Sequence, residues 1–256
     1  MEEIILRHVD KDYTTYGTEV VLTGETRPSR TRRVLRDLSV TFPAGSLTVI
    51  VGRSGCGKST LLKLLAGKEQ PDGGEIQIPE GWHSAMLSPE PYVITWTSVQ
   101  RNVAMACGVG KTPEERYEKA REFVKLVGLE EYADLTPAEL STGMKQRLGL
   151  ARVLAGQAEL LLMDEPFASL DFLTREELQS QLLAVQRAMP RTIILVTHQL
   201  DEALLLGQKI VVMHPDSSLR EFDLTRYDYP RDLDTPELQR LRREITDQCR
   251  RGSAND

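Results

Sequence analysis

A continuously apolar run, Leu47-Thr48-Val49-Ile50-Val51, leads without a break into Gly52-Arg53-Ser54-Gly55-Cys56-Gly57-Lys58-Ser59. From Ser59 to Ala66 the spacing turns helical, and Gly67 closes that helix. This strand–loop–helix constrains the chain more than any other feature. The run reads as a strand buried on both faces, and the octapeptide matches G-x-x-x-x-G-K-[ST] in full. Glycines let backbone N–H groups curl around a phosphate with no Cβ in the way. The helix aims its positive end at the same anion, Lys58 neutralises the β/γ oxygens, and the Ser59 hydroxyl is placed to ligate Mg²⁺. Thr60 follows in the same first turn. By glycine usage alone such a string arises in about one chain in a hundred of this length; a preceding buried strand and a following helix make chance a poor explanation. Cys56 reads as a tolerated small side chain inside the loop.

The 256 residues suffice for one large domain, or a domain with a sub-domain. A net charge of −6 argues against a nucleic-acid binder, which would present a basic face. No apolar run approaches the roughly 20 residues of a membrane-spanning helix, and no secretory signal opens the chain. Cys56, Cys107 and Cys249 lack metal-ligand spacing and read as reduced thiols.

Away from the loop, Ile4–Val9 and Val34–Phe42 read as strands around a polar stretch, Asp10 to Arg33, expected to be a hairpin or an extended surface loop. From about Pro89 to Leu154 the apolar spacing is helical. Thr112-Pro113-Glu114-Glu115 is a capping box with proline at the first helical position. Tyr117, Ala120, Val124 and Val127 then share a face up to Gly128. Strands return at Leu160–Met163, Ile193–Val196 and Ile210–Met213, separated by helical stretches at Glu176–Ala188 and Leu200–Leu206. Alternating strands and helices predict an α/β core with a mostly parallel sheet covered on both faces, interrupted by a helical insert.

At the carboxyl end of the strand Leu160–Met163 stand Asp164 and Glu165. An aspartate there suits a hold on Mg²⁺ and the glutamate suits polarising an attacking water. An Asp-Glu pair by itself would be an ordinary solvated strand end; beside a phosphate loop it becomes a second half of a site.

With Leu140-Ser141-Thr142-Gly143-Met144-Lys145-Gln146-Arg147 ahead of Asp164-Glu165-Pro166, the sequence resembles the ATPase subunit of an ABC transporter over nearly its whole length. The resemblance implies that Leu140 to Met144 is the signature motif, with Ser141 and Gly143 facing nucleotide. It makes Asp164 the Walker B aspartate, Glu165 the catalytic glutamate, Ser169-Leu170-Asp171 the D-loop and His198 the switch histidine at the γ-phosphate. Tyr13 stands where such proteins stack a ring on adenine. The implied fold is a P-loop ATPase core with an antiparallel β region, residues 1–88 and 155–256, and a helical sub-domain at 89–154. The implied ligands are ATP and Mg²⁺. Two subunits, identical to one another, would sandwich two ATP molecules, each between one subunit's phosphate loop and the other's signature motif. The capped helix behind Ser141 would then point its positive end at the γ-phosphate. A membrane-spanning permease and a solute-binding protein are the further partners implied, with the chain peripheral on the cytoplasmic face of a bacterial membrane.

Within that family the segment Glu90 to Val103 and the tail from Tyr229-Pro230-Arg231-Asp232 onward are similar to importers of nitrate, sulfonates and taurine, pointing to a small anionic solute. Core packing and a solvated charged helix are the ordinary readings of Trp96 and of the tail. Ser141 to Arg147 is also similar to exporter-type ATPases, since Thr142 replaces a glycine common in importers. Pro89 occupies the place of the usual Q-loop glutamine, counted back from Trp96. Proline offers neither a side-chain amide nor an N–H, so coupling or Mg²⁺ coordination would be weakened or rerouted, with Glu90 the nearby substitute and Gln100 too far along. A degenerate subunit that binds ATP beside an active partner is the alternative that Pro89 raises. The stretch Thr14 to Arg33, with Arg27, Arg30, Arg32 and Arg33, is expected to be a solvated loop, or else a contact with a partner or anionic head groups.

Overall fold

The computed structural model describes residues 2–15, 30–108, 110 and 112–251. Two sheets organise it. A three-stranded antiparallel sheet has the order β2-β1-β4, with β1 at Glu3–Thr15, β2 at Arg30–Pro43 and β4 at Gly73–Gln77. A six-stranded sheet runs β5-β6-β7-β3-β8-β9, with β3 at Leu47–Gly52, β5 at Ser84–Leu87, β6 at Leu160–Asp164, β7 at Thr192–Thr197, β8 at Lys209–Met213 and β9 at Leu219–Asp223. Its strands are parallel from β5 to β8, and β9 closes the edge antiparallel.

Alternation along the buried strands divides the interior into two cores, because successive side chains leave a strand on opposite faces. Leu47, Val49, Val51, Leu161, Met163, Ile193, Leu195, Ile210 and Val212 join one apolar cluster. Their neighbours Ile50, Leu160, Leu162, Ile194, Val196, Val211 and Met213 join the other. The second is completed by Ile4, Leu6, Leu35, Leu38, Val40 and Phe42 of the antiparallel sheet and by Leu61, Leu62, Leu64 and Leu65 of helix α1, Lys58–Leu65. The antiparallel sheet and α1 thus cover one face together, which brings Tyr13 of β1 and Arg32 of β2 beside the loop that begins α1.

The first cluster is covered by helices. Between β5 and β6 the chain forms α2 (Val99–Ala106), α3 (Pro113–Leu126) and α4 (Thr142–Ala155). Thr112 caps α3 by accepting from the Glu115 amide at 3.2 Å, and Gly128, at φ +63°, takes the left-handed turn that ends it. Ala120, Val124 and Val127 are buried, as the spacing predicts. After β6 come α5 (Phe172–Ala188), α6 (Leu200–Leu206) and α7 (Pro236–Arg251). Short strands β4, β5 and β9 have no clear apolar signature and escape the sequence reading.

The expected hairpin is present in its arms, from Glu3↔Pro43 out to Thr15↔Arg30. Residues 16–29, with the turn chemistry of Gly24 to Ser29, Tyr16 and Arg27, lie outside the described residues. Arg32 and Arg33 are exposed, as a solvated stretch implies, yet both have partners: Arg33 pairs with Asp12 at 3.2 Å and Arg32 reaches the phosphate loop. Trp96 is no core residue, at 82% exposed.

Candidate nucleotide site

The register of three neighbouring strands gathers the motif residues at one edge of the sheet. Val51 of β3 lies beside Thr197 of β7, and Val196 of β7 beside Asp164 of β6. The loop after β3, the Asp164-Glu165 pair and His198 therefore share the carboxyl edge of a parallel sheet, where such sheets hold ligands.

In the loop, Gly55 and Gly57 have φ of +82° and +106°, a backbone that other residues adopt only under strain. A Cβ on Gly52 would stand 2.4 Å from the Met213 carbonyl oxygen, so no side chain fits there. Arg53 and Ser54 are exposed at the crest, while Cys56 is buried beneath it. Burial pushes the Cys56 thiol up, with Lys58 pulling the other way. Lys58 itself is buried, and its Nζ donates to the carbonyls of Gly52 at 2.7 Å and Arg53 at 3.0 Å. An open cavity of about 440 Å³ lies against this loop, lined by Tyr13, Arg32, Val34, Gly55, Gly57, Lys58, Ser59, Thr60 and Lys63.

Tyr13, half-buried, flanks that cavity. Its hydroxyl donates to Glu69 and stands 3.5 Å from the Thr60 hydroxyl, which fixes the ring beside α1. Burial and the Glu69 contact both raise its pKa.

Asp164 is 4% exposed and stands beside Ser59. Burial raises its pKa, opposed by the neighbouring Ser59 hydroxyl and raised further by the charge of Glu165. A buried carboxylate next to a hydroxyl is a pair of hard oxygen ligands, the donor set that fits Mg²⁺ completed by phosphate oxygens and water. Glu165 follows at φ +51°, an uncommon backbone for a side chain of this size. Its amide donates to the Val196 carbonyl at 2.9 Å, and its Oε1 lies 2.9 Å from His198 Nδ1. Sequence reasoning selects both residues but says nothing of this contact.

Ser141, Gly143 and Asp171 form a separate cluster that does not line the cavity. Ser141 caps α4, accepting from the Met144 amide at 3.2 Å. A Cβ on Gly143 would meet the Ser169 carbonyl at 3.1 Å, so the start of α4 lies tight on the segment before Asp171. Asp171 caps α5 through the Thr174 amide at 3.1 Å, and this bond lowers its pKa. Behind the cluster, Arg175 donates to the Leu170 carbonyl at 3.0 Å and to Gln199 at 2.9 Å, and its Nε lies 3.9 Å from Glu202. Nothing in the motifs marks Arg175 or Glu202.

Pro89 and Glu90 are exposed, two and three residues beyond Leu87, whose register partner is Met163. They follow β5 at the same sheet edge as Asp164. Gln100 is buried and donates to the Tyr117 carbonyl at 2.6 Å, so it serves the helical packing.

A phosphate loop at the carboxyl edge of a parallel sheet, with an acidic pair ending the next strand but one, defines a P-loop nucleoside triphosphatase. Residues 35–168 match a family profile described as ABC transporter. The taurine import ATP-binding protein of Pseudomonas aeruginosa is 44% identical over 203 residues, 76% of this chain and 76% of that one. An aliphatic sulfonates import ATP-binding protein of Agrobacterium fabrum is 41% identical over 197 residues, covering 75% and 74% respectively. A solved dimeric structure of a bacterial ABC transporter cassette superposes with a TM-score of 0.73 at 25% identity, over 86% of this chain and 98% of that one. The chain belongs to the ABC transporter family, as an ATPase subunit whose substrate is ATP and whose metal is Mg²⁺. Among the described residues no helix is long and apolar enough to cross a membrane.

Proposed function

We propose that the chain powers import of a small anionic solute, of the sulfonate or nitrate class, through a separate permease. The observation that carries the reading is the His198–Glu165 contact beside the Ser59–Asp164 pair, a hydrolytic arrangement in a chain related to taurine and sulfonate import proteins. Residues 1–88 and 155–256 act as the ATPase core and 89–154 as the helical sub-domain.

The roles divide as follows. Tyr13 stacks on adenine. The amides of Gly52 to Ser59 and of Thr60 cradle the phosphates, and Lys58 moves from the loop carbonyls to the β/γ oxygens. Ser59 and Asp164 hold Mg²⁺, which supplies charge neutralisation on the β- and γ-phosphates when bound. Glu165 takes a proton from the attacking water as its oxygen bonds the γ-phosphorus; the bond to the β–γ bridging oxygen breaks, and ADP leaves. His198 holds Glu165 in place through Nδ1 and turns its other ring nitrogen to the γ-phosphate.

Because Ser141, Gly143 and Asp171 stand apart from the cavity, they serve the nucleotide of a second copy across a dimer. The dimeric cassette that this chain resembles supports that arrangement. Tyr92 and Trp96, 90% and 82% exposed between β5 and α2, are the surface for the permease at the cytoplasmic face of the membrane. A solute-binding protein delivers the cargo.

The purified chain should hydrolyse ATP with a requirement for Mg²⁺, and Glu165→Gln protein should form ATP-dependent dimers on size exclusion while losing turnover. A wild type with no turnover, alone or with its permease, would leave only a degenerate ATP-binding subunit. Uptake of labelled taurine against nitrate in cells lacking the gene tests the solute class, and unchanged uptake of both would refute it.

A further inference from the structure

Two cations outside the loop motif line the same cavity: Lys63, which pairs with Glu69 at 3.6 Å, and Arg32. Arg32 stands on β2 as the register partner of Tyr13, and the two line the cavity with Lys58, Ser59 and Thr60. Its Nη2 donates to the Gly55 carbonyl at 3.3 Å and lies 3.4 Å from where a Cβ on Gly55 would stand. Lys58 has the same habit, its ammonium donating to the carbonyls of Gly52 and Arg53. Two cations from different elements thus rest on neutral carbonyls of one phosphate loop.

We propose that Arg32 is a nucleotide-binding residue whose guanidinium pairs with the α/β end of the phosphate chain of ATP and ADP. The inference rests on the reading of Gly52 to Ser59 as the phosphate cradle and adds a ligand from outside it. Position supports it: Arg32 lies between the Tyr13 ring and the loop, along the path from base to β-phosphate. Electrostatics supports it as well. Its neighbour Arg33 is already paired with the Asp12 carboxylate, whereas the partner of Arg32 among the described residues is a neutral oxygen. Exchanging a neutral carbonyl for phosphate oxygens gives the guanidinium an opposite charge to pair with, and the planar fork of arginine matches two phosphate oxygens at once.

The test compares fluorescent ATP and ADP analogues on the full chain, wild type against Arg32→Ala and Arg32→Lys. Arg32→Ala should raise Kd for both nucleotides by about tenfold. Lysine should recover part of the loss, because it restores charge without the fork. Affinity of the wild type should fall more steeply with added salt than that of Arg32→Ala, a difference that a merely structural side chain would not produce. Equal affinities for wild type and Arg32→Ala would overturn the inference, and a loss confined to ATP would overturn the assignment to the α/β end. With Lys58→Ala in parallel, a wild type that binds neither nucleotide and a Lys58→Ala protein no worse would sink the loop reading and this one with it.

Discussion

His198 Nδ1 lies 2.9 Å from Glu165 Oε1, so the first residue after β7 touches the first residue after β6. The contact is held from below, because the Glu165 amide donates to Val196 and that bond keeps its left-handed backbone in place. If the pair works as a unit, its substitutions are non-additive. Glu165→Gln should lower kcat by about 10²–10⁴ while nucleotide affinity is kept. His198→Ala should lower kcat too, and the double variant should lose little beyond Glu165→Gln. Single-turnover rates that multiply in the double variant would show that the two act independently.

Pro89 can be tested by giving the position its missing amide. It follows β5 at the edge that carries Asp164, where a glutamine side chain has somewhere to reach. Pro89→Gln should raise the ATPase rate and lower the Mg²⁺ concentration for half-maximal activity. If neither changes, proline at this position has no bearing on the metal or the attacking water.

Arg175 ties the Leu170 carbonyl, ahead of Asp171, to Gln199, next to His198. Arg175→Ala should cost about 3 kcal/mol of stability, since it leaves a carbonyl and an amide oxygen without their donor and the buried Glu202 without its nearby cation. Arg175→Lys should recover only part, because a single ammonium cannot serve all three. Chemical denaturation reads both, and a cost under about 1 kcal/mol for the alanine variant would mean that water replaces the guanidinium.

Burial raises the pKa of Glu202, with the Thr197 hydroxyl and Arg175 opposing it, Glu165 adding to it and His198 lowering it. A raised carboxyl pKa means that the folded state holds its proton longer than the unfolded chain. The stabilising contribution is therefore complete below the ordinary glutamate value near 4.3 and is lost as pH rises through the folded value. Glu202→Gln should remove this loss, so wild type should fall in melting temperature relative to the variant as pH rises from about 4 to 7. Parallel profiles would show that Glu202 is ionised at no cost.

The motifs of this chain are legible because their chemistry is local. A phosphate loop needs its glycines, lysine and serine consecutive, and a capped helix needs Ser141 and the amide of Met144 three residues on. Buried strands announce themselves by continuous apolar runs, and the two clusters that alternate along β3, β6, β7 and β8 follow from the period of a strand. By itself, then, the sequence determined the fold class, the family and nearly every residue proposed for the site. What it left open depends on packing across long separations. Arg32 reads as one of several arginines in a polar stretch until β1 and β2 pair and lie with α1 on one face of the sheet, which carries its guanidinium to Gly55, 23 residues away. Arg175 and Glu202 read as ordinary helix residues until α5 and α6 meet behind β7. Trp96 has the composition of a core residue and stands in solvent, because the loop after β5 turns it outward. Side-chain type sets what a residue can do; only the tertiary structure decides which partner is near enough for it to be done.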